Sequence, residues 1–439
     1  MASNIFSAFY EKGEDISCIP FDITPKELNA LDAGSYLLID TRDEEEYEHG
    51  FIPGCILLSP NEVLRLAQEV VSNEVVSNQK TSDQNKEAPD QNGLKQNDHS
   101  GQRDPAIKKH IILYCRSGKI TENLVSSLRS LGFPAQNLEG GYSAWAIYAI
   151  HRQAKKEELQ KKVEEELQKG RFHRTLLNPF VRAIIRYELI QDGDHIAVCV
   201  SGGKDSMLMA KLFQEFQRHG QFSFQLTFLC MDPGYNSANR KIIESNAELL
   251  GIPLSFFNTS IFDAVYSVDS SPCYLCARMR RGFLYREAQK RGCNKIALGH
   301  HYDDVIETVL MGMLYSGQWS AMMPKVKSAN FEGMELIRPL YFVREEDIKS
   351  WRDVNHLHFI QCACRFTDTC TTCAAKEDED SQQKKTGHKR TETKRLIAEL
   401  KKTNPNIETN LFHATENVHI DQLLGYKKDG ISHSFLENY

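Results

Sequence analysis

The chain has 439 residues, 41% of them hydrophobic, with a formal net charge of −6 and twelve cysteines. That length allows two or three domains, each able to bury a core. No apolar run approaches the roughly 20 residues that a bilayer crossing needs, and the opening MASNIFSAFYEKGEDIS has no basic stretch leading into an apolar one. A secretory or transit segment is therefore not expected, and the protein is read as cytoplasmic with no membrane partner. Cysteines in that compartment serve as ligands or nucleophiles rather than as disulfides. The modest acidity neither announces nor excludes a nucleic-acid partner, because binding follows local patches.

Residues 1–150 alternate strands and helices. Tyr36–Asp40 (YLLID) and Ile111–Tyr114 (IILY) suit buried parallel strands, and Ile120, Leu124 and Leu128 form a helical stripe after the second. Between them, about residues 71–104 are rich in Asn, Gln, Asp, Ser and Lys. Such a composition cannot repay its ordering entropy, which predicts a disordered insertion. Residues 151–172 are dominated by Lys, Glu and Gln and predict a solvated linker helix. From 173 to 439 the βα alternation resumes, with strands expected at Ile196–Val200, Phe224–Met231, Leu254–Phe257 and Lys295–Leu298. The fold class is α/β, the last segment a doubly wound parallel sheet. Cys55, Cys199, Cys230 and Cys293 stand singly and read as small core residues.

SGGKDS (Ser201–Ser206) joins the first strand of the last segment to a helix carrying Leu208, Leu212 and Phe216 on one face. Glycines let backbone N–H groups approach an anion, and the helix N-terminus adds a favourable dipole. Lys204 supplies a cation, Ser201 and Ser206 supply hydroxyls, and Asp205 can cap the helix or sit near magnesium. The pattern is not a Walker A loop, since Val198 stands where that loop needs glycine. Ser201-Gly202-Gly203-Lys204-Asp205-Ser206 resembles the pyrophosphatase loop of N-type ATP pyrophosphatases. In that family ATP is split between its α- and β-phosphates to adenylate a carbonyl-type oxygen, with Mg2+ offsetting the charge.

Farther on, Cys273 and Cys276 form a C-x2-C pair that leads into a basic helix, and an apolar strand ends at Gly299-His300-His301 before Asp303 and Asp304. Ligands of open α/β sheets gather at the carboxyl ends of strands. That rule puts His300, His301 and Asp304 beside the phosphate loop. With CYLCARMRRGFLY, ALGHHYDDVIET and IRPLYFV, residues 173–375 closely resemble the tRNA 2-thiocytidine synthetase family. The resemblance implies a C-terminal adenine nucleotide α-hydrolase-like domain that takes ATP and Mg2+. ATP ligands would be Ser201 to Ser206, Met231, Gly299, His300 and Asp304. It also implies a [4Fe–4S] cluster on Cys273, Cys276 and Cys362, with Cys364 a rival third ligand. A competing metal reading joins Cys273 and Cys276 to Cys370 and Cys373 as a four-thiolate Zn2+ site.

In the N-terminal segment, Asp40-Thr41-Arg42, Glu46 and Gly50–Gly54 resemble the first signature of the rhodanese family. Cys115-Arg116-Ser117-Gly118-Lys119 resembles its active loop and Gly140–Trp145 its closing motif. The resemblance implies a rhodanese-like sulfur-carrier domain with a persulfide on Cys115, cradled by backbone N–H groups and Arg116. The sixth loop position, often Arg, is Ile120 here, so Lys119 is expected to supply the second charge. Thr121, where a C-x5-R phosphatase needs Arg, argues against phosphatase chemistry.

Lys384–Lys402 holds eight Lys or Arg against two Glu, a stretch able to follow an RNA backbone or simply to be a solvated helix face. Together the resemblances imply an ATP-dependent tRNA sulfurtransferase with Lys204, Asp205 and Cys115 as catalytic residues. It would adenylate the C2 oxygen of a pyrimidine, with cytidine in the anticodon loop the implied target, and would draw sulfur from an upstream donor such as a cysteine desulfurase. A uridine or a small molecule as substrate, a homodimer, and a sulfur carrier with a non-catalytic RNA-binding module stay open.

Overall fold

The computed structural model describes residue 6 and residues 16–32, 34–84, 110–152, 156–220, 222–259, 272–360 and 385–438. It divides into two units. The first comprises Met1–Lys156, Tyr235–Leu249 and Leu357–Asp368, and the second comprises Glu157–Gly234, Leu250–His356 and Thr369–Tyr439.

The first unit runs β1 (Asp22–Ile23), α1 (Pro25–Leu28), β2 (Tyr36–Asp40), α2 (Glu44–His49), β3 (Ile56–Leu57), α3 (Pro60–Gln84), β4 (His110–Tyr114), α4 (Lys119–Ser130), β5 (Ala135–Leu138) and α5 (Gly141–Arg152). Its sheet has the order β1-β5-β4-β2-β3, every pairing parallel. Ile111, Ile112, Leu113 and Tyr114 of the central strand are fully buried, as a parallel strand covered on both faces requires. Helix α3 buries Val63, Leu66, Ala67 and Val70 in one stripe and continues to Gln84. The structure therefore carries helix into the segment expected to be a disordered insertion. The same 3.6-residue register brings Val71 against the core, so the helix propagates past the point where composition turns polar. The remainder of that insertion, from 85, lies outside the described residues.

The second unit begins with α6 (Lys156–Gln168) and α7 (Asn178–Arg186), followed by β6 (His195–Cys199), α8 (Lys204–His219) and β7 (Gln225–Asp232). Helix α9 (Ser237–Leu250) falls largely in the first unit. The chain resumes with β8 (Leu254–Asn258), α10 (Pro272–Lys290), β9 (Lys295–Ala297), α11 (Tyr302–Ser316), β10 (Lys325–Lys327), β11 (Glu335–Ile337), α12 (Glu345–Val354), α13 (Lys385–Thr403), α14 (Ile407–Ala414) and a small β12–β13 hairpin (Gly425–Lys428, Ile431–Ser434). The sheet order is β10-β11-β9-β6-β7-β8, parallel except for β10. Strand order reverses at β6, with β7 on one side and β9 on the other, and that reversal opens a crevice at the carboxyl ends.

Two features position the site. Helix α8 is buried on most of its circumference: Met207, Leu208, Met209, Ala210 and Leu212 are all fully buried. Its Lys211 is buried too and pairs with Glu164 of α6 at 3.0 Å. The expected linker helix is thus not fully solvated, because Val163 and Leu167 of α6 are buried. Helix α10 runs antiparallel to the strands. Tyr285 and Ala288 pack on Ala197 and Ile296, whereas Met279 and Phe283 pack on Met231, at the carboxyl end of β7. The backbone of α10 at Cys273 and Cys276, N-terminal to Met279, therefore lies toward the carboxyl edge. Cys199, Cys230 and Cys293 are buried core residues, while Cys55 is half-buried. Burial pushes the Cys55 thiol up to about 11, and Tyr114 Oη donates to its sulfur at 3.2 Å. Among the described residues no helix is long and apolar enough to cross a membrane.

Candidate functional site

In the first unit, Cys115 follows β4 and opens the turn into α4. The Gly118 N–H donates to Cys115 Sγ at 3.2 Å, and Thr121 Oγ1 lies 3.6 Å from the same sulfur. Gly118 has φ +84°, a left-handed conformation that glycine adopts without strain. The loop rests on Gly140-Gly141 so closely that a Cβ at Gly141 would meet Gly118 N at 2.6 Å. Tyr142 and Ser143 donate their N–H groups to Cys115 O (2.9 Å) and Arg116 O (3.0 Å). The glycine pair of the closing motif is thus explained by backbone-to-backbone contact.

The charges here differ from expectation. Arg116 does not face the sulfur with a free charge: its Nε donates to Glu46 Oε1 at 2.6 Å, and the two side chains form an ion pair. Burial pushes the Glu46 carboxyl up despite this neighbour. Lys119 is exposed at the start of α4, and the donor that meets the sulfur is the Gly118 N–H, since the Thr121 hydroxyl donates to Asn137 Oδ1 at 2.7 Å. Ile120 is 59% exposed. Arg42 is a scaffold residue whose Nη2 donates to Asp40 Oδ2 (2.6 Å) and to Gly50 O (2.7 Å). A pocket beside the loop is lined by Glu46, His49, Arg116, Asn239, Phe359 and Ile360. The last three come from distant parts of the chain, and no local pattern in the sequence marked them.

In the second unit, the loop after β6 closes on itself: Ser201 N–H donates to Ser206 Oγ at 3.1 Å, and that hydroxyl donates to Gly203 O at 3.0 Å. Gly202 takes φ +90°. A Cβ at Gly299 would lie 3.3 Å from Ser206 N, so the end of β9 abuts the loop. Lys204, at 2% exposure, places Nζ 3.2 Å from Asp205 Oδ2 and 3.1 Å from Glu345 Oε1. Burial works against that charge, but Asp205 and Glu345 outweigh it and hold the Lys204 pKa above its usual value. Glu345 is placed by its own N–H, which donates to Asp303 Oδ2 at 2.8 Å. It is also neutralised by Lys394 of α13 at 3.2 Å.

The adjacent histidines are driven apart. Burial pushes His300 down to about 4. His301 is equally buried, yet Asp304, Asp303 and Asp205 overcome that penalty and raise it to about 9. Its Nε2 stands 3.5 Å from Asp304 Oδ2 and 4.0 Å from Asp205 Oδ1. The stability contributed by the charged His301 is fully present below its ordinary value of 6.5 and is lost as pH rises through about 9. The thermal midpoint is expected to fall as pH goes from about 7 to about 10, a fall that His301→Gln flattens, as measured by calorimetry across that range.

Met231 is buried against α10. Arg390 of α13 reaches Asp304 at 3.2 Å and Glu307 at 3.4 Å. Burial raises the Glu307 carboxyl to about 7 in spite of that guanidinium. Lys401 and Lys402 pair with Glu408 (2.8 Å) and Glu399 (2.6 Å). The basic stretch read as an RNA face therefore spends much of its charge inside the unit, because α13 packs over the carboxylates of α11 and α12. Sequence reading missed Glu345 and Arg390. The acidic opening of α12, after an arginine, was the one signal available for the first. At this edge Asp205 Oδ1 and His300 Nδ1 are buried without hydrogen-bond partners. Among the described residues no three His, Cys, Asp or Glu form a metal-type cluster. The side chains of Cys273 and Cys276, and Cys362, Cys364, Cys370 and Cys373 entirely, lie outside the described residues.

Two family models match the chain, a PP-loop domain over residues 168–364 and a rhodanese-like domain over residues 24–148. The tRNA-cytidine(32) 2-sulfurtransferase of Geobacter sulfurreducens is 34% identical over 255 residues, which is 57% of this chain and 93% of that protein. Its counterpart in Citrifermentans bemidjiense is 36% identical over 247 residues, 55% of this chain and 90% of that one. Among solved structures, the U34-tRNA thiolase NcsA from Methanococcus maripaludis with its [4Fe-4S] cluster overlays with a TM-score of 0.42 at 20% identity, over 60% of this chain and 78% of that one.

Proposed function

Because the chain belongs to the tRNA-cytidine(32) 2-sulfurtransferase family and is a tRNA sulfurtransferase, we propose that it replaces the C2 oxygen of a cytidine in the anticodon loop with sulfur. The observation that carries this reading is the closed loop Ser201–Ser206 at the sheet's switch point, with Lys204 buried in it and the β9 end against it. Backbone N–H groups of that loop and the α8 N-terminus receive the phosphates of ATP. Lys204 exchanges its contact with Glu345 for the triphosphate, and Lys394 stays to balance the Glu345 carboxylate when it does. The C2 oxygen attacks the α-phosphorus, pyrophosphate leaves, and the oxygen departs with AMP when sulfide adds at C2. Protonated His301 stabilises charge growing at the phosphates, while neutral His300 is available to take or give a proton.

Magnesium, a hard cation, supplies charge neutralisation of the triphosphate, and Asp205 Oδ1 is the unpartnered oxygen that suits it. For the cluster, the thiolates of Cys273, Cys276 and Cys362 or Cys364 are the soft donor set that would hold a [4Fe–4S] group, which would supply a site for sulfur. Cys115 carries sulfane sulfur as a persulfide, taken from a donor such as a cysteine desulfurase, and its release as sulfide consumes two electrons from two external thiols, which leave as a disulfide and return Cys115 to the thiol. The Gly118 N–H donates to the sulfur that bears it.

Mass spectrometry of tRNA from cells lacking the protein tests the substrate. Loss of 2-thiocytidine at position 32, restored by the wild-type gene, is the expected result, and an unchanged nucleoside profile overturns the reading. For the persulfide step, Cys115→Ala is expected to abolish loading of sulfane sulfur from thiosulfate. Intact mass of the persulfidated chain over time measures it.

A further inference from the structure

Helix α11 ends at Ser316, and Gly317 turns the chain out with φ +59°. The segment from Gln318 to Pro324 then returns to β10. Its second half is pinned: Arg338 donates its N–H to Pro324 O at 2.9 Å and an Nη1 hydrogen to Met323 O, and Tyr341 Oη donates to Met322 O at 2.8 Å. Arg338 and Tyr341 follow β11, which runs parallel to β9, as β9 does to β6. The anchors therefore lie at the carboxyl edge of the sheet, the edge that carries Ser201–Ser206 and His300-His301. The backbone is fixed, yet its side chains are bare. Trp319 is 47% exposed and Met323 58%.

The surroundings are positive. Lys389 lies over the Tyr315 ring at 5.1 Å, on the turn of α11 that leads into the segment. Arg281 is exposed and close enough to Arg338 that, after burial, it helps depress that guanidinium to about 10. Among the described residues no carboxylate forms an ion pair with Arg338, and its buried Nε has no partner. An exposed aromatic at the rim of a nucleotide site, on a segment anchored at its far end, with Arg281, Arg338 and Lys389 outnumbering the Glu392 that accepts from Tyr315 Oη at 2.8 Å, suits unpaired bases on a phosphate backbone. The chemistry needs such a surface: a base drawn into the site leaves its neighbours without stacking partners.

We propose that Trp319, flanked by Met323, is the stacking platform for unpaired bases next to the target nucleotide, and that Arg281 and Lys389 meet the backbone of the same RNA strand. The proposal rests on the reading of this chain as a tRNA sulfurtransferase. A test is available because the chain has three tryptophans, and the other two, Trp145 at 9% and Trp351 at 0% exposure, are buried. Fluorescence of the full-length protein, titrated with tRNA, is expected to be quenched, and Trp319→Ala to abolish the quench. That variant is expected to raise the tRNA Kd about tenfold, the weight of one lost base stack. Trp319→Phe should restore most of the affinity, with ATP binding and the salt slope of RNA binding unchanged in both. Unchanged tRNA affinity in Trp319→Ala overturns the proposal and leaves the sulfurtransferase reading intact. So does protection of Trp319 that grows with protein concentration without RNA and coincides with a doubled mass, which assigns the patch to a second copy of the chain. A wild-type protein that binds no tRNA overturns the parent reading instead.

Discussion

Lys204→Ala is expected to lower the rate of tRNA thiolation by about 10³-fold or more while leaving tRNA affinity near wild type. The ammonium is the only cation the loop itself contributes, and it is held at 2% exposure where water cannot substitute for it. Removing it leaves Asp205 and Glu345 facing the phosphates. Glu345 keeps Lys394 at 3.2 Å and Lys349 at 3.8 Å, so the fold should tolerate the change. Single-turnover thiolation with saturating ATP, beside a tRNA-binding isotherm, separates the two effects. Thiolation at the wild-type rate would remove the ATP mechanism and favour a sulfur carrier joined to an RNA-binding module.

The second large effect is on stability. Arg42 and Asp40 have side-chain exposures of 4% and 0%, and their bond is 2.6 Å. Arg42 also lies 4.0 Å from the centre of the Tyr142 ring and 5.5 Å from that of Tyr114. Arg42→Ala strips Asp40 of its partner and leaves a buried charge uncompensated, a change that costs about 3–5 kcal/mol. It also frees the Gly50 carbonyl from its donor. Urea denaturation should show the loss, and Arg42→Ala with Asp40→Asn should recover part of it, since the orphaned charge is gone. A double variant no more stable than the single one would mean that packing on Tyr142, rather than charge pairing, is what Arg42 contributes.

The parts of the molecule legible in the sequence are those in which one short stretch does the whole job. SGGKDS needs only a strand before it and a helix after it, and the apolar runs of β6 and α8 supply both. Cys115 stands at a strand end for the same reason. What stayed hidden was assembled across the chain. Glu345 reaches Lys204 only because β11 lies beside β9, a register no local pattern encodes. Arg390 meets Asp304 from a helix whose charges, read alone, look solvated. Thr121 entered as the wrong residue for a phosphatase and turned out to tie the loop to β5, donating to Asn137 Oδ1 at 2.7 Å. Helix α3 enters the polar segment because Val70 and Val71 carry its apolar stripe onto the core there.

The two units also exchange chain. Tyr235–Leu249 and Leu357–Asp368 belong to the compact body that contains Cys115, although each is bordered on both sides by sequence of the other unit. The polypeptide is therefore braided rather than strung, and a gene cut between the two halves would give the N-terminal piece without the walls that Asn239, Phe359 and Ile360 supply. A protease nick in the connecting segment should leave fragments that travel together until a denaturant parts them.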